Sequence, residues 1–476
     1  MSTRPLIELG VDGVLALPND AFYRLSPHDV ATFQLELLRQ RFADLRGRIA
    51  ALGKLADLQG VNEIAAVDDA APLLFQHTAY KSYPFSLLEK RKFQAMTRWL
   101  QSLTAHDLSH IDASNCHSID DWFELLDNET PLSVLHSTGT TGKLSIIPRD
   151  KREMERFVRA SLKVFEGYGD EPDLVGDLLR GEAKIPILYP SYRYGRHIGQ
   201  RMLDIYIRLF GEPGTCRAMY EEMLSADVSS LAGRVRAAEE RGELDILDIP
   251  PDLLRKYRES VDRQSSVAVQ QKAFFDFMLE NCRGQRVMSV AVVPYLWAWT
   301  QVAEAQGLER MFAANSIFTS GGGLKGMDAP ADWRERIERF LGAPLNIGYG
   351  MTESMSGMRM CSEGHYHPSP LLVSILLDVD TGTPLPRTGT QTGRFAFFDL
   401  MPESYWGGFV TGDRVTLVHD QPCACGRTGA YALDSIRRFS ELEGGDDKIS
   451  CAGAADAQER AIEYLIERAN AEEASA

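Results

Sequence analysis

An α/β fold is predicted by three features of this sequence. Strand-like and helical segments alternate through the middle of the chain, two of the strands run straight into glycine-rich turns, and residues 371 to 435 read as a β-rich meander. Glycine-terminated strands are where α/β proteins place ligands. At 476 residues, 44% hydrophobic and 25% charged, the chain can bury a large core and is expected to divide into subdomains.

Taken in order, Ser26 followed by "PHDVATFQLELLRQRFADLRGRIAAL" reads as one N-capped helix. Proline opens it, and Phe33, Leu37, Leu45, Ile49 and Leu52 follow at near-helical spacing. Residues 61 to 130 are mixed. "HTAYKSYPFS" (His77 to Ser86) reads as a structural connection, "SLLEKRKFQAMTRWLQSL" as another helical run, and "LSVLH" as a short strand. "KREMERFVRASLKVFEGY" has a helical pattern and "KIPILYPS" that of a buried strand, and residues 221 to 265 are charged and helical. "RVMSVAVVPYLWAW", "NSIFTSGGGLKG" and "PLNIGYGMTE" read as apolar strands entering turns. "LLVSILLDVDTG", "GRFAFFDL" and "RVTLVHD" supply the meander.

A net charge of -16 without a Lys/Arg-rich block argues against a nucleic-acid partner. Neither a basic leader with an unbroken apolar run nor a stretch of about 18 apolar residues occurs, so a cytoplasmic protein without membrane contact is expected. Seven cysteines in a long chain argue against a disulfide framework. Three of them keep company with histidines or with one another, in "MCSEGHYHPSP" and "QPCACGRTG".

The stretch "LHSTGTTGKLSIIPRD" (residues 135 to 150) offers hydroxyls, glycines and a lysine just after a strand. Backbone N–H groups and hydroxyls can wrap phosphate oxygens there while glycines allow close approach. Only Thr140 and Thr141 separate Gly139 from Gly142-Lys143, and Leu144 stands where a magnesium-binding hydroxyl would, so the spacing is not that of a P-loop NTPase. On its own such a loop is as readily a plain turn.

Two later segments change that balance. "GYGMTES" (Gly348 to Ser354) and "GGFVTGDRV" (Gly407 to Val415) follow in an order that, with the first loop, resembles the adenylate-forming superfamily of acyl- and aryl-CoA synthetases, luciferases and peptide adenylation domains. The resemblance spans about residues 130 to 450. It implies the large N-terminal domain of that fold, stacked α/β subdomains plus a β-rich one, with a helical part at 1 to 130, an adenylation core at 131 to 445 and a residual hinge and helix at 446 to 476. It also implies that Ser137, Thr138, Gly139, Thr140, Thr141, Gly142 and Lys143 hold the β- and γ-phosphates of ATP. Tyr349, Gly350 and Met351 would meet the adenine side, Thr352 the α-phosphate and Glu353 a magnesium ion. Asp413 would take the ribose hydroxyls, with Arg437 or Arg438 as the ribose-binding arginine, and the turn with Gly321, Gly322 and Gly323 would line the adenine and acyl pockets. Lys143, Thr352 and Glu353 are the catalytic candidates.

"CACGRTG" resembles the phenylacetate-CoA ligase branch, some members of which carry a Cys and a His shortly after the Thr-Glu motif. By that likeness Cys361, His367, Cys423 and Cys425 form a candidate tetrahedral zinc set with His365 as the competing imidazole; the alternative is reduced, buried thiols.

The chain departs from the superfamily pattern at its end. Asp446 and Asp447 resemble a hinge remnant, but only 29 residues follow Asp447, so the mobile C-terminal domain and its late lysine are expected to be missing, with Lys143 and Lys448 as the nearest substitutes. Bacterial bioluminescence acyl-protein synthetases, also short relatives, transfer the acyl group to their own cysteine, and Cys451 has that general position. "LYPSYRYGRH" (Leu188 to His197) and "VPYLWAW" (Val293 to Trp299) stand where relatives build acyl pockets, with Tyr192, Tyr194 and His197 as orienting candidates or as a loop packed on its own aromatics.

The expected activity is ATP-dependent conversion of an aromatic or apolar carboxylic acid to acyl-AMP, with magnesium. Transfer to CoA, to a protein cysteine or to an amine would follow, and a second copy of the chain is a candidate partner. The alternatives are a nucleotide- or acyl-binding relative without turnover, and an enzyme that forms an amide or ester on a second small molecule.

Overall fold

The computed structural model describes residues 5–137, 143–242, 249–264, 267–321 and 329–442, with isolated positions at 460, 463, 464 and 467. Two compact units emerge. One contains residues 1–135, 145–160 and 351–476, the other residues 136–144 and 161–350. The fold is α/β, as the alternation of patterns predicts.

In the first unit the helices Pro27–Leu45, Ala50–Gln59, Phe93–Gln101 and Ile119–Glu129 accompany an antiparallel sheet. Its order is Leu372–Leu377, Thr390–Asp399, Gly408–Val418, Tyr431–Ala432, Tyr366–Pro368 and Met358–Met360, and Arg437–Arg438 pairs separately with Gly408–Val418. The meander predicted at 371 to 435 is the part of this sheet from Leu372 to Ala432; the strands Met358–Met360, Tyr366–Pro368 and Arg437–Arg438 lie outside it. Trp99, Trp122 and Trp406 are fully buried, and each indole N–H finds an acceptor: Ser82 Oγ at 2.9 Å, Thr97 Oγ1 at 2.9 Å and the Leu73 carbonyl at 2.8 Å. Buried indoles need such partners. Gly407 is required where the chain folds back, because a Cβ there would lie 2.0 Å from the Asp399 carbonyl oxygen.

The second unit is a parallel sheet in the order Leu345–Tyr349, Ile317–Gly321, Met288–Val290, Ile187–Gly195 and Arg217–Leu224. Helices Val267–Asn281, Val293–Ala305 and Trp333–Leu341 pack around one apolar cluster that includes Phe274, Trp299, Phe318 and Phe340. Four of these strands carry apolar runs that make them legible; the fifth, Arg217–Leu224, with Glu221 and Glu222, does not.

Four local expectations change. The helix opened by Ser26 stops at Leu45, and a second begins at Ala50 after Gly47 and an extended, buried Ile49. The run 86–103 is two helices, Phe85–Glu89 and Phe93–Gln101, separated by Arg91 at φ 54°. "VVPYLWAW" is not strand: after the short strand Met288–Val290, Pro294 in the first turn starts a helix whose Leu296, Trp297 and Trp299 are buried in the core. The charged segment expected to be helical from 221 opens with an edge strand, Arg217–Leu224, before helix Ala226–Arg241.

Candidate adenylation and metal-binding sites

In the second unit, Gly321 ends its strand in register with Gly348, which brings the first glycine of the "GGG" turn beside the strand that carries Tyr349 and Gly350. Ser137 and Lys143, on either side of residues 138–142, are both half-buried. Thr138, Gly139, Thr140, Thr141, Gly142, Gly322 and Gly323 lie outside the described residues, as do Asp446, Asp447, Lys448 and Cys451. In the same unit the strand Ile187–Gly195 runs on through the aromatic stretch. Tyr192 stacks on Tyr220 at 4.7 Å, and His197 caps helix Ile198–Phe210 by accepting from the Gly199 N–H. "LYPSYRYG" is thus strand, not loop.

In the first unit, Met351, Thr352 and Glu353 begin an irregular turn. Glu353 is partly buried, and that burial pushes its carboxyl above the ordinary range against the pull of a Ser145 hydrogen bond and of the cations Lys81 and Arg149. The turn is braced by groups that motif reading missed. Arg149 Nη2 donates to the carbonyls of Thr352 at 3.0 Å and Ser354 at 3.1 Å, and Asp399 accepts from the N–H groups of Met355 at 2.6 Å and Ser356 at 2.7 Å. The only sequence signal for Arg149 was the unusual "PRD" after the loop. Asp399, at the end of an apolar strand, offered none.

Asp413 and Arg438 are cross-strand neighbours, with Arg438 Nε 3.9 Å from Asp413 Oδ1. The carboxylate is nearly buried, its side chain 12% exposed, while the arginine is 66% exposed. Arg437 pairs instead with Arg414.

The sulfur and imidazole donors of Cys361, His367, Cys423 and Cys425 all lie within 4.8 Å of one another. Cys361 Sγ and Cys423 Sγ are 3.8 Å apart, and Cys425 Sγ is 3.3 Å from His367 Nε2. Tetrahedral zinc with Zn–S bonds of about 2.3 Å and Zn–N bonds of about 2.0 Å spaces two sulfurs by about 3.8 Å and a sulfur and a nitrogen by about 3.5 Å. The donor set therefore fits zinc. His365 stands outside it, with Nδ1 3.2 Å from Cys423 Sγ and its ring stacked on Tyr431. Burial, with Arg427 nearby, drops His367 to about 3, which keeps the imidazole neutral and able to ligate. Burial pushes the Cys423 thiol up to about 12 and Cys361 upward too. In Cys425 burial is outweighed by hydrogen bonds from Arg427 and the neighbouring thiols, and its pKa falls. Three thiolates this close need a cation to coexist.

No family model and no curated protein matches the chain. Solved structures do. The chain is similar to 2-hydroxyisobutyryl-CoA ligase in an open conformation with 2-HIB-AMP and CoA, at 11% identity and TM-score 0.51 over 94% of this chain and 91% of that one. It is also similar to the same ligase in the postadenylation state with 2-HIB-AMP, at 12% identity and TM-score 0.50 over 88% and 70% of the two chains. Among the described residues no helix is long and apolar enough to cross a membrane. The chain shares its fold with 2-hydroxyisobutyryl-CoA ligase.

Proposed function

We propose that this chain activates a carboxylic acid as an acyl-adenylate, using ATP, and hands the acyl group to a thiol or amine. The observation that carries the reading is the Thr352–Glu353 turn, a hydroxyl and a carboxylate on a braced backbone in a chain of this fold. Thr352 would bind the α-phosphate and Glu353 would hold magnesium. Asp413 with Arg438 would take the ribose, Tyr349 the adenine, and Ser137, Lys143 and the hydroxyl loop the outer phosphates. When bound, magnesium supplies charge neutralisation on the phosphates.

A carboxylate oxygen of the acid attacks the α-phosphorus, the bond from that phosphorus to the bridging oxygen breaks, and pyrophosphate leaves with the electron pair. No proton moves in this step, so the protein need only orient the reactants and neutralise charge. In the second step a thiol or amine attacks the acyl carbonyl, AMP leaves, and the nucleophile's proton passes to solvent or to AMP. For the acid, the stacked Tyr192 and Tyr220 with the half-buried Tyr295 support an aromatic or apolar acyl group. Cys423, Cys425, Cys361 and His367 would hold a structural zinc with no open position for chemistry.

The test is acid-dependent ATP–pyrophosphate exchange across aromatic, fatty and short 2-hydroxy acids, with Glu353→Ala as control. Exchange with one acid, lost in the control, supports the reading and names the substrate class. ATP binding without exchange for any acid overturns it in favour of a nucleotide-binding protein. Where exchange occurs, CoA, amines and labelling of the protein itself with and without Cys451→Ser identify the acceptor.

A further inference from the structure

Arg149 has no exposed surface, and among the described residues it forms no ion pair. A buried guanidinium without a carboxylate is costly, so its partners tell what it is for. Nη2 converges on the carbonyl oxygens of Thr352 and Ser354 and on the Tyr405 hydroxyl, at 3.0, 3.1 and 3.2 Å. The guanidinium lies over two aromatic rings, 4.8 Å from the centre of Phe157 and 5.9 Å from that of Tyr405. Tyr405 in turn reaches the Glu353 carbonyl at 3.4 Å. Three consecutive carbonyls, those of 352, 353 and 354, are thus held from one side. On the other side Asp399 accepts from Ser354 Oγ, the N–H groups of Met355 and Ser356, Ser356 Oγ and the Met401 N–H.

We infer that Arg149 is a positioning residue that, with Tyr405 and Asp399, locks the backbone of the Thr352–Ser354 turn and so aims the Thr352 and Glu353 side chains. Their chemical roles rest on the adenylation reading. Arginine suits the place because its planar head, lying over the Phe157 and Tyr405 rings, holds one nitrogen at fixed reach of both carbonyls, whereas an ammonium would sit on a shorter, flexible stem without that stacking. The backbone clamp itself does not depend on what the turn binds.

Two measurements separate the clamp from the function. In the exchange assay, Arg149→Met lowers kcat by about 100-fold, the scale of an ångström-sized misplacement, while KM for ATP stays within about threefold because Asp413 and its neighbours are untouched. Arg149→Lys, which keeps the charge but not the planar head stacked on Phe157 and Tyr405, falls between wild type and Met. Tyr405→Phe lowers kcat several-fold in the same sense. A folded Arg149→Met variant with kcat within twofold of wild type overturns the inference. If the Met variant does not fold, Arg149→Lys decides, and wild-type kcat overturns the inference. The second measurement is amide hydrogen exchange of the segment 351–357 without nucleotide: faster exchange in Arg149→Lys is expected, and unchanged protection overturns the clamp. If no acid supports exchange in the wild type, the adenylation reading fails alone and the hydrogen-exchange result still judges the clamp.

Discussion

Replacing Cys423 by Ser tests the metal centre where it is most constrained. Cys423 Sγ lies 3.8 Å from Cys361 Sγ and 3.2 Å from His365 Nδ1, so its thiolate would both ligate the ion and accept from the flanking imidazole. Zinc present at about a thousand times its dissociation constant stabilises the folded state by about 4 kcal/mol. For a unit of this size, each kcal/mol moves the melting temperature by about 2 °C, so a chelator is expected to lower the wild-type melting temperature by about 8 °C. Cys423→Ser should melt near the chelated wild type and respond little to chelator. Metal analysis should find one zinc per wild-type chain and markedly less in the variant. The thiols add a pH signature. Cys423 is held near 12 and Cys361 is raised, so zinc must displace at least two protons, whereas His367 near 3 contributes none around neutrality. Apparent zinc affinity should therefore rise by about 100-fold per pH unit in competition with a chromophoric chelator. Zinc-free protein on purification, together with identical melting of wild type and variant with and without chelator, would refute the assignment.

Other consequences are simpler to check. Asp413→Asn removes charge-assisted acceptance by a nearly buried carboxylate and should raise KM for ATP by about tenfold or more, on the scale of about 1.5–3 kcal/mol; an unchanged KM argues against the ribose role. Glu153→Gln should destabilise by about 1–3 kcal/mol, because the Glu153 carboxylate accepts from the N–H groups of Asp150, Glu403 and Ser404 and from the Ser404 hydroxyl. Burial, and then Asp150, raise the pKa of Glu153, so the native state binds that proton more tightly than the unfolded chain. This contribution to stability is complete below the unfolded-state pKa and declines as pH rises through the native one; chemical denaturation from pH 4 upward should show the decline in wild type and its loss in the variant. Gly407→Ala forces a Cβ to within 2.0 Å of the Asp399 carbonyl oxygen and should lower the denaturation midpoint sharply, with the strand pair Thr390–Asp399 and Gly408–Val418 disturbed.

Strands with unbroken apolar runs were legible because nothing else explains Ile317–Phe318 running into Thr-Ser-Gly, or Phe395–Phe398 between polar flanks. Helix Pro27–Leu45 was legible at its start, where Ser26 accepts from the Asp29 N–H, and misjudged at its end, because Ile49 and Leu52 keep the helical period in the next helix. Val293–Ala305 reads as strand because its first half, Val293 to Trp299, is apolar almost without a break and continues the apolar run of the preceding strand; its exposed polar positions, Gln301 and Glu304, come only afterwards. At the site, motif residues carry functional side chains and therefore stand out by type. The bracing residues do not, since an arginine before an aspartate or an aspartate ending a strand has many uses. Only tertiary contact shows that Arg149 and Asp399 hold the same turn.

That turn also explains why the first unit buries three charges it could otherwise leave outside. Segments 148–150, 352–356 and 400–406 lie outside regular helix and strand where they bury Tyr405 and Trp406, and such backbone inside a core lacks the ladder partners that satisfy N–H and C=O groups elsewhere. Glu153 takes the amides of Glu403 and Ser404, Asp399 those of Met355, Ser356 and Met401, and Arg149 supplies the carbonyls of Thr352 and Ser354. Left alone, each such group costs about 1–3 kcal/mol, so this set sums to on the order of 10 kcal/mol, comparable with the several kcal/mol of desolvation that each buried charge brings. Stability is therefore roughly balanced, and what the charges add is a single backbone path. An apolar replacement of the whole network could keep the unit folded while freeing the turn that carries Thr352 and Glu353, so the network is better understood as fixing geometry than as adding strength.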